Sequence, residues 1–171
     1  DKEYVAELLL GCTTDTQDSM GNVLEERPVT CTSQEVEAVL RTFVGDIEQI
    51  PPMYSAIQID GQRLYDLARK GIEVEREPRE IEIYSAKLIS RENETDFIID
   101  VSCSKGTYIR TLCEDIGKAL GVPATMFSLE RTVCGSYKKE DSVSLDLLED
   151  MFKNGKGSEI EKLLSQIQSV S

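Results

Sequence analysis

The sequence predicts an α+β fold built on a mixed, largely antiparallel sheet with flanking helices. Strand-like segments, in which apolar and polar residues alternate, outnumber helical segments in the earlier part of the chain. Helical segments gather towards its end, and no internal repeat of about 20–50 residues is visible. A chain of 171 residues with 40% hydrophobic and 30% charged side chains fits one globular domain with a real core.

The first strand is predicted at Tyr4–Leu10, and a polar loop is predicted at Gly11–Gly21. The loop contains two aspartates, but it does not match a calcium-binding loop. Gln17, Ser19 and Met20 occupy positions where an EF-hand needs acidic ligands and a glycine. We therefore expect a loop closed by aspartate turns rather than a metal site.

A capping box at Thr32 and Glu35 predicts the start of a helix, and Gly45 is expected to stop it. Further along, the Asp60-Gly61 pair predicts a tight turn. The residues Arg63–Lys70 then predict a short helix that a glycine terminates. This part of the chain is therefore expected to alternate short helices with turns.

Two strands that form an antiparallel hairpin are predicted at Ile81–Ser90 and Thr95–Cys103. The stretch before them, Ile72–Arg79, is dense in charge and is expected to be a mobile surface excursion. A helix over 108–120 and a strand at Thr125–Tyr137 follow the hairpin. The chain closes with two predicted helices, at Leu145–Phe152 and Ser158–Ile167.

The link between the second hairpin strand and the next helix is predicted to be a tight turn at Ser104–Thr107. Gly106 can adopt a positive φ there, and Thr107 is a suitable N-cap. Free N–H groups at the helix start, together with the charges of Lys105 and Arg110, favour a bound anion. From the residues alone, a solvated helix start is an equally open interpretation.

The composition excludes several classes of site. The chain has no histidine, which removes His-based catalytic triads and most zinc sites. Its five cysteines are scattered without a C-x-x-C pair, so we expect reduced thiols in a cytoplasmic protein. The net charge of −13 argues against broad nucleic-acid affinity, because phosphate binding depends on lysine and arginine. Local RNA binding can still coexist with this charge if the basic residues share one face.

Four stretches of the chain form a recognisable set. They are Lys2-x-Tyr4 with Leu10-Gly11-x-x-Thr14-Asp15-Thr16-x-Asp18-x-x-Gly21, Gln49-Ile50-Pro51-Pro52-Met53-Tyr54-Ser55-Ala56 with Gly61-x-x-Leu64-Tyr65-x-x-Ala68-Arg69-x-Gly71, Cys103-Ser104-Lys105-Gly106-Thr107-Tyr108-Ile109-Arg110-Thr111-Leu112, and Leu129-x-Arg131. Taken in this order, they resemble the bacterial tRNA pseudouridine synthase family of the TruB type. Each stretch alone is weak evidence, but all four in family order are hard to obtain by chance. The resemblance implies part of the pseudouridine synthase fold and the isomerisation of uridine 55 in the T-loop of tRNA.

The resemblance also implies a catalytic set of Tyr4, Tyr108, Arg110 and Leu129. Tyr4 would stack on the flipped uracil and take the C5 proton, and Arg110 would pair with the family's catalytic aspartate. Tyr108 would line the pocket, and Leu129 would supply an apolar wall. The reaction requires no metal and no organic cofactor. Without the resemblance, each residue has an ordinary alternative as a strand, core or surface side chain.

The partner that the resemblance implies is the T-arm of tRNA, with no membrane and with a monomeric protein at full length. The segment 53–79 matches the family's mobile insertion that closes over the RNA, within a catalytic domain over 1–144. The segment 145–171 is expected to be a helical end of the same domain. The residues assigned to RNA contact are Asp18, Arg63, Arg69, Lys70, Lys105 and Arg131.

The sequence departs from the family pattern in one decisive respect. The family's catalytic aspartate lies in a Gly-x-Leu-Asp-Pro-x-Ala-x-Gly stretch, and no aspartate of this chain has that context. We therefore expect a fragment that lacks this segment and the family's C-terminal RNA-binding (PUA) domain, and that is inactive alone. The alternative is a non-catalytic acidic interaction domain, recruited through the helices at 145–170.

Overall fold

The structure, a computed structural model, describes residues 1–168. Ten β-strands lie within that range: β1 Lys2–Leu10, β2 Cys12–Thr14, β3 Val23–Glu26, β4 Gly45–Gln49, β5 Gln58–Ile59, β6 Gln62–Arg63, β7 Arg79–Arg91, β8 Asp96–Cys103, β9 Ala124–Cys134 and β10 Tyr137–Lys138. The helices are α1 Ser33–Thr42, α2 Leu64–Ala68, α3 Ile109–Leu120, α4 Leu145–Lys153 and α5 Gly157–Gln168, with a 3₁₀ turn at Lys139–Asp141.

Six of these strands form one sheet in the order β10-β9-β1-β8-β7-β4. Neighbouring strands in this sheet are antiparallel, which confirms the predicted fold class. A single parallel bridge, between Asp18 and Met126, ties the loop after β2 to β9. The central strand β1 pairs with β8 on one side and β9 on the other, so side chains from β1 reach the middle of the molecule.

The core lies on one face of the sheet, beneath α1 and α3. Along β1, Ala6, Leu8 and Leu10 are buried, as the period-two alternation predicts. The helix α3 packs Leu112 and Ile116 into the same cluster, in agreement with their helical spacing. The face that holds this core also carries the candidate site, at the end of the sheet where α3 begins.

The helix α1 has the predicted capping box, since Thr32 accepts a hydrogen bond from the Glu35 N–H and Glu35 bonds back to Thr32. The helix ends at Thr42, however, because Gly45 already belongs to the edge strand β4. The sequence did not predict β4, whose charged residues make its alternation weak. Pairing with β7 stabilises the strand, which is a tertiary contact that a local pattern does not encode.

The predicted loop at Gly11–Gly21 contains the short strand β2, which pairs with β3 in a small hairpin. Aspartate turns close it as expected, because the Asp15 carboxylate accepts hydrogen bonds from the N–H and side-chain amide of Asn22, at 2.9 and 3.0 Å. The predicted turn at Asp60-Gly61 is confirmed, with φ values of 50° and 77° that join β5 to β6. The predicted strand at Thr125–Tyr137 is broken after Cys134 by a turn into β10.

The turn before α3 has the predicted positive φ at Gly106, 89°. The prediction that Thr107 is the N-cap is wrong. The N-cap is Tyr108, because the Thr107 hydroxyl donates to the carbonyl of Ser104 at 3.0 Å and stays within the turn. The helix ends at Gly121 as predicted, with a φ of 74°.

The last part of the described chain holds α4 and α5, which pack together and leave α4 without a buried residue. Residues 169–171 of the expected segment 145–171 lie outside the described residues. The short elements β5, β6 and α2 occupy the segment 53–79, followed by irregular backbone over 72–78. Within residues 1–168, no helix is long and apolar enough to cross a membrane.

Gly117 marks the closest approach of α3 to the chain that leads into β9. A Cβ at this position would lie 2.8 Å from the carbonyl oxygen of Val122 and would overlap the Ala124 side chain. We expect Gly117→Ala to lower the free energy of unfolding by about 1–3 kcal/mol, because backbone cannot move aside cheaply. Urea denaturation measures this change. Gly157→Ala is the matched control, since its Cβ meets no described atom within 4 Å; equal stability of both variants would contradict the prediction.

Candidate active site

Arg110 is the second residue of α3, and its guanidinium is held by three acceptors. One terminal nitrogen, Nη1, donates to the carbonyl of Thr16 at 3.3 Å and to the Asp18 carboxylate at 3.4 Å. The other, Nη2, donates to the carbonyl of Tyr54 at 2.7 Å. The Arg110 and Asp18 side chains are only 22% and 23% exposed, so water screens this pair less than a surface ion pair. Arg110 is therefore held in one orientation by two separate chain segments.

Asp18 uses both carboxylate oxygens within the chain. Oδ2 faces Arg110, and Oδ1 accepts hydrogen bonds from the Thr16 hydroxyl at 2.8 Å and the Met20 N–H at 3.1 Å. From the resemblance, Asp18 is expected to contact RNA, and that role stays a prediction. The sequence reasoning did not identify Asp18 as the partner of Arg110, because the two residues are 92 positions apart.

The loop that carries Asp18 is fastened to the helix that carries Arg110. Gln17, in between Thr16 and Asp18, adopts a positive φ of 63°. Its side-chain amide accepts a hydrogen bond from the Thr111 hydroxyl at 3.1 Å and donates one to Glu114. These contacts tie the loop that carries Thr16 and Asp18, two of the three acceptors of Arg110, to α3.

Tyr4 lies on β1 directly between Val101 of β8 and Arg131 of β9. Burial raises the pKa of the Tyr4 hydroxyl above its usual value, and the neighbouring Arg131 guanidinium opposes this rise without cancelling it. The phenol is therefore protonated at neutral pH. To accept a proton, it would need further assistance from the bound substrate or from another group.

Leu129 lies on β9 opposite Ala6 and is 42% exposed. Directly opposed residues of antiparallel strands point to the same face, so Leu129 and Arg131 share the core face with Tyr4 and Ala6. The helix α3 crosses that face and begins at the Tyr4 end, since the last residue of β8 pairs with Lys2. Tyr4, Leu129 and α3 therefore lie on the same face of the sheet.

Tyr108, the fourth predicted catalytic residue, caps α3 with its backbone. Its N–H donates to Oε1 of Gln49 at 2.8 Å, and its carbonyl accepts from Nε2 of the same side chain at 3.0 Å. One N–H at the helix start is thus already bonded and is not free for an anion, while the expected anion site at this turn stays a prediction. Sequence reasoning gave Gln49 no role of its own, although it lies within one of the quoted stretches.

The residues predicted to contact RNA fall in separate places. Arg63 and Arg69 lie over the ring of Tyr65, with guanidinium carbons 5.8 and 5.3 Å from its centre, and Lys70 is exposed beside them. Lys105 is exposed in the turn before α3, and Arg131 is exposed on β9. The structure thus places one basic cluster on the 53–79 segment and single basic residues near the start of α3.

Acidic residues also come close to this region. A surface depression at the β4–β7 edge is lined by Ser104 together with Asp46, Glu48, Glu80 and Glu82. These four carboxylates place negative charge beside the turn that precedes α3. Within the described part of the chain, no group of three or more acidic or cysteine side chains is placed to hold a metal ion.

Two known family domains match the chain along nearly its whole length. Residues 1–109 match the TruB family pseudouridylate synthase N-terminal domain, and residues 110–170 match the tRNA pseudouridylate synthase B C-terminal domain. A tRNA pseudouridine synthase B from Clostridium perfringens is 46% identical over 99% of this chain and 58% of its own length. One from Clostridium tetani is 53% identical over 85% of this chain and 50% of its own length. The chain thus spans about half the length of the curated relatives it matches.

Solved structures with the same fold belong to larger assemblies. A crystal structure of a Cbf5-Nop10-Gar1 complex matches 95% of this chain and 39% of its own chain, with a TM-score of 0.66 and 29% identity. A structure of an H/ACA RNP bound to a substrate RNA containing 2′-deoxyuridine matches 97% of this chain and 38% of its own, with a TM-score of 0.62 and 25% identity. The chain therefore belongs to the TruB family of pseudouridylate synthases.

Proposed function

We propose that this chain provides the arginine- and tyrosine-bearing part of an enzyme that isomerises uridine 55 in the T-loop of tRNA to pseudouridine. The observation that carries the proposal is the environment of Arg110. A guanidinium has five N–H donors, and described residues accept from three of them. Two donors are left to hold a further carboxylate, which is what a pseudouridine synthase requires of its arginine.

The reaction breaks the bond from C1′ to N1 of the uridine, turns the uracil and joins C1′ to C5. The base must leave its stack first, which costs a few kcal/mol that a stacking surface can offset. We assign that surface to Tyr4 and the wall opposite to Leu129, with Tyr108 beside them. Tyr4 also takes the C5 proton in this proposal, which requires its own phenol proton to pass first to the substrate or to another group. The chemistry needs no metal and no organic cofactor.

The nucleophile in this proposal is an aspartate from a Gly-x-Leu-Asp-Pro segment, which the 171 residues do not contain. Asp18 is the carboxylate nearest to Arg110, but it is a poor candidate for attack. Both of its oxygens are already engaged within the chain, Oδ1 by the Thr16 hydroxyl and the Met20 N–H and Oδ2 by Arg110, so neither is free to approach C1′. We assign Asp18 to holding Arg110 in place, in addition to any contact with RNA.

For the RNA, we propose that Arg63, Arg69 and Lys70 bind phosphates of the T-arm, in a segment 53–79 that closes over it. Lys105 and Arg131 contact the backbone nearer the flipped base. A related assembly is described as bound to a substrate RNA, which supports an RNA partner for this fold. We further propose that the protein acts as a monomer in the cytoplasm and that residues 1–144 and 145–171 belong to one catalytic domain.

Binding of a T-arm hairpin to the chain tests the RNA assignment. We expect a gel shift that weakens steeply with salt, because each neutralised phosphate releases counterions. The double variant Arg63→Ala/Arg69→Ala should weaken binding and reduce the slope of log K against log salt by about one unit per residue. Lys153→Ala, on the exposed helix α4, is the matched control and should leave the slope unchanged.

The same experiment separates the two candidate functions. An acidic interaction domain would use the apolar side chains that α4 exposes, such as Leu145 and Phe152, at 82% and 76%. It would bind no RNA at low salt and would bind a protein partner tightly. The family comparisons do not favour that alternative, and a salt-sensitive complex with the hairpin would exclude it.

A further inference from the structure

Gln49 is the last residue of the edge strand β4, yet its side chain is only 2% exposed. An amide this deeply buried is costly unless both its N–H₂ and its carbonyl have hydrogen-bond partners. Both have them, and both partners belong to one residue, Tyr108. The side chain of Gln49 thereby forms the same pair of bonds that a residue of an adjacent antiparallel strand would form.

This pair of bonds fixes the backbone from which α3 starts. Tyr108 is held extended, at φ −102° and ψ 105°, and no side chain caps the helix at that position. Its carbonyl also accepts the first helical hydrogen bond, from the N–H of Leu112 at 3.0 Å. Gln49 therefore performs for α3 the orienting task that an N-cap side chain performs in other helices.

The chain that follows Gln49 makes a second contact with the start of α3. Five residues later, the carbonyl of Tyr54 accepts the shortest hydrogen bond of Arg110, at 2.7 Å. Between the two contacts lie Pro51 and Pro52, both buried, whose rings restrict the backbone. The segment 49–54 is thus a short, stiff strap that holds the backbone of Tyr108 at one end and the guanidinium of Arg110 at the other.

We propose that Gln49 is a positioning residue for Arg110. Its amide sets the start of α3 and the strap in register, so that the Tyr54 carbonyl meets the Arg110 guanidinium. Gln49 acts through the backbone of Tyr108 and through the strap. Only the effect of Gln49 on catalysis rests on the proposed function, because the order of the Arg110 side chain can be measured without any reaction.

NMR of the chain itself tests the positioning role. With Gln49 present, we expect resolved side-chain N–H signals for Arg110 and a protected amide at Tyr108. Gln49→Leu removes both hydrogen bonds and should speed exchange of the Tyr108 amide by about tenfold, while the Arg110 signals average to one. Gln49→Glu keeps an acceptor for the Tyr108 N–H and should retain part of the protection.

A core variant provides the control for stability. Ile99→Val loses one methylene from a fully buried position of β8, where Ile99 pairs with Ala6 and Leu88, and should leave Arg110 ordered. If Gln49→Leu lowers stability like Ile99→Val but leaves the Arg110 signals intact, Gln49 is only a core residue and the proposal is wrong. If Gln49→Leu does not fold, the same comparison of stability and Arg110 signals is made with Gln49→Glu.

The consequence for catalysis is tested separately, in the chain preceded by the family's Gly-x-Leu-Asp-Pro segment, which we call the extended chain. There Gln49→Glu should lower kcat and leave KM for the T-arm hairpin unchanged. If the Arg110 side chain loses its order in the Gln49 variants but the extended chain makes no pseudouridine, the positioning role is upheld and the proposed function is wrong. If the extended chain is active and Gln49→Glu changes neither kcat nor the Arg110 N–H signals, the proposed function is upheld and the positioning role is wrong.

Discussion

Arg110→Lys is expected to reduce pseudouridine formation by the extended chain at least about 100-fold, and Arg110→Ala should abolish it. Lysine keeps the positive charge, but its ammonium lacks the planar fork that reaches Thr16, Asp18 and Tyr54 together. With a single point charge, the site cannot hold these acceptors and a second carboxylate at once. Release of tritium from uridine labelled at C5 measures the rate.

Two controls make this result specific. Arg41→Lys changes an exposed arginine of α1 that pairs only with Glu37 among the described residues, and it should leave the rate unchanged. The chain without the added segment should form no pseudouridine. Turnover by that chain would contradict the assignment of the nucleophile to a separate segment and would direct attention to Asp18. Near-normal turnover by Arg110→Lys would remove Arg110 from the catalytic set.

Tyr4→Phe is expected to leave hairpin binding within about threefold while lowering product formation by about 100-fold or more. Phenylalanine preserves the stacking surface but has no hydroxyl to take the C5 proton. Tyr4→Ala should also weaken binding, because stacking of one base on an aromatic ring contributes about 1–3 kcal/mol. The comparison of the two variants therefore separates the stacking role from the proton-transfer role.

The pH dependence adds a second measurement on Tyr4. Because burial raises the pKa of its hydroxyl, the Tyr4 phenol stays neutral through the physiological pH range. Ionisation of Tyr4 should therefore cause no rise of activity near pH 7. The matched control is Tyr84→Phe, on β7, which removes a hydroxyl that donates to the Asp1 carboxylate. If Tyr4→Phe is as active as Tyr84→Phe, the proton acceptor is another group.

The elements that local pattern predicted well are those with strong periodicity or a strong cap. The alternating run of β1, the hairpin of β7 and β8, and the helix α3 with its glycine stop all appear in the structure. The capping box of α1 is also present as expected. Each of these rests on residues only a few positions apart, whose preferences act before any distant contact forms.

Failures of the sequence reasoning have a common physical cause. The strand β4 exists because β7 pairs with it, and the N-cap residue Tyr108 is held at its backbone by the side chain of Gln49. In both cases a partner distant in sequence overrides a weak or ambiguous local preference. A buried amide such as Gln49 has no periodic signature, so its partner could not be named before the chain was folded.

For the candidate site as well, the sequence determined some features and the tertiary structure decided others. The sequence by itself determined the family resemblance, the residue types in the set Tyr4, Tyr108, Arg110 and Leu129, and the exclusion of histidine chemistry. Only the tertiary structure decided that Arg110 faces Asp18 and the Tyr54 carbonyl, with Gln49 behind it. Motifs record which side chains are present, whereas the Arg110 guanidinium is oriented by acceptors that two separate segments bring together only when the chain folds.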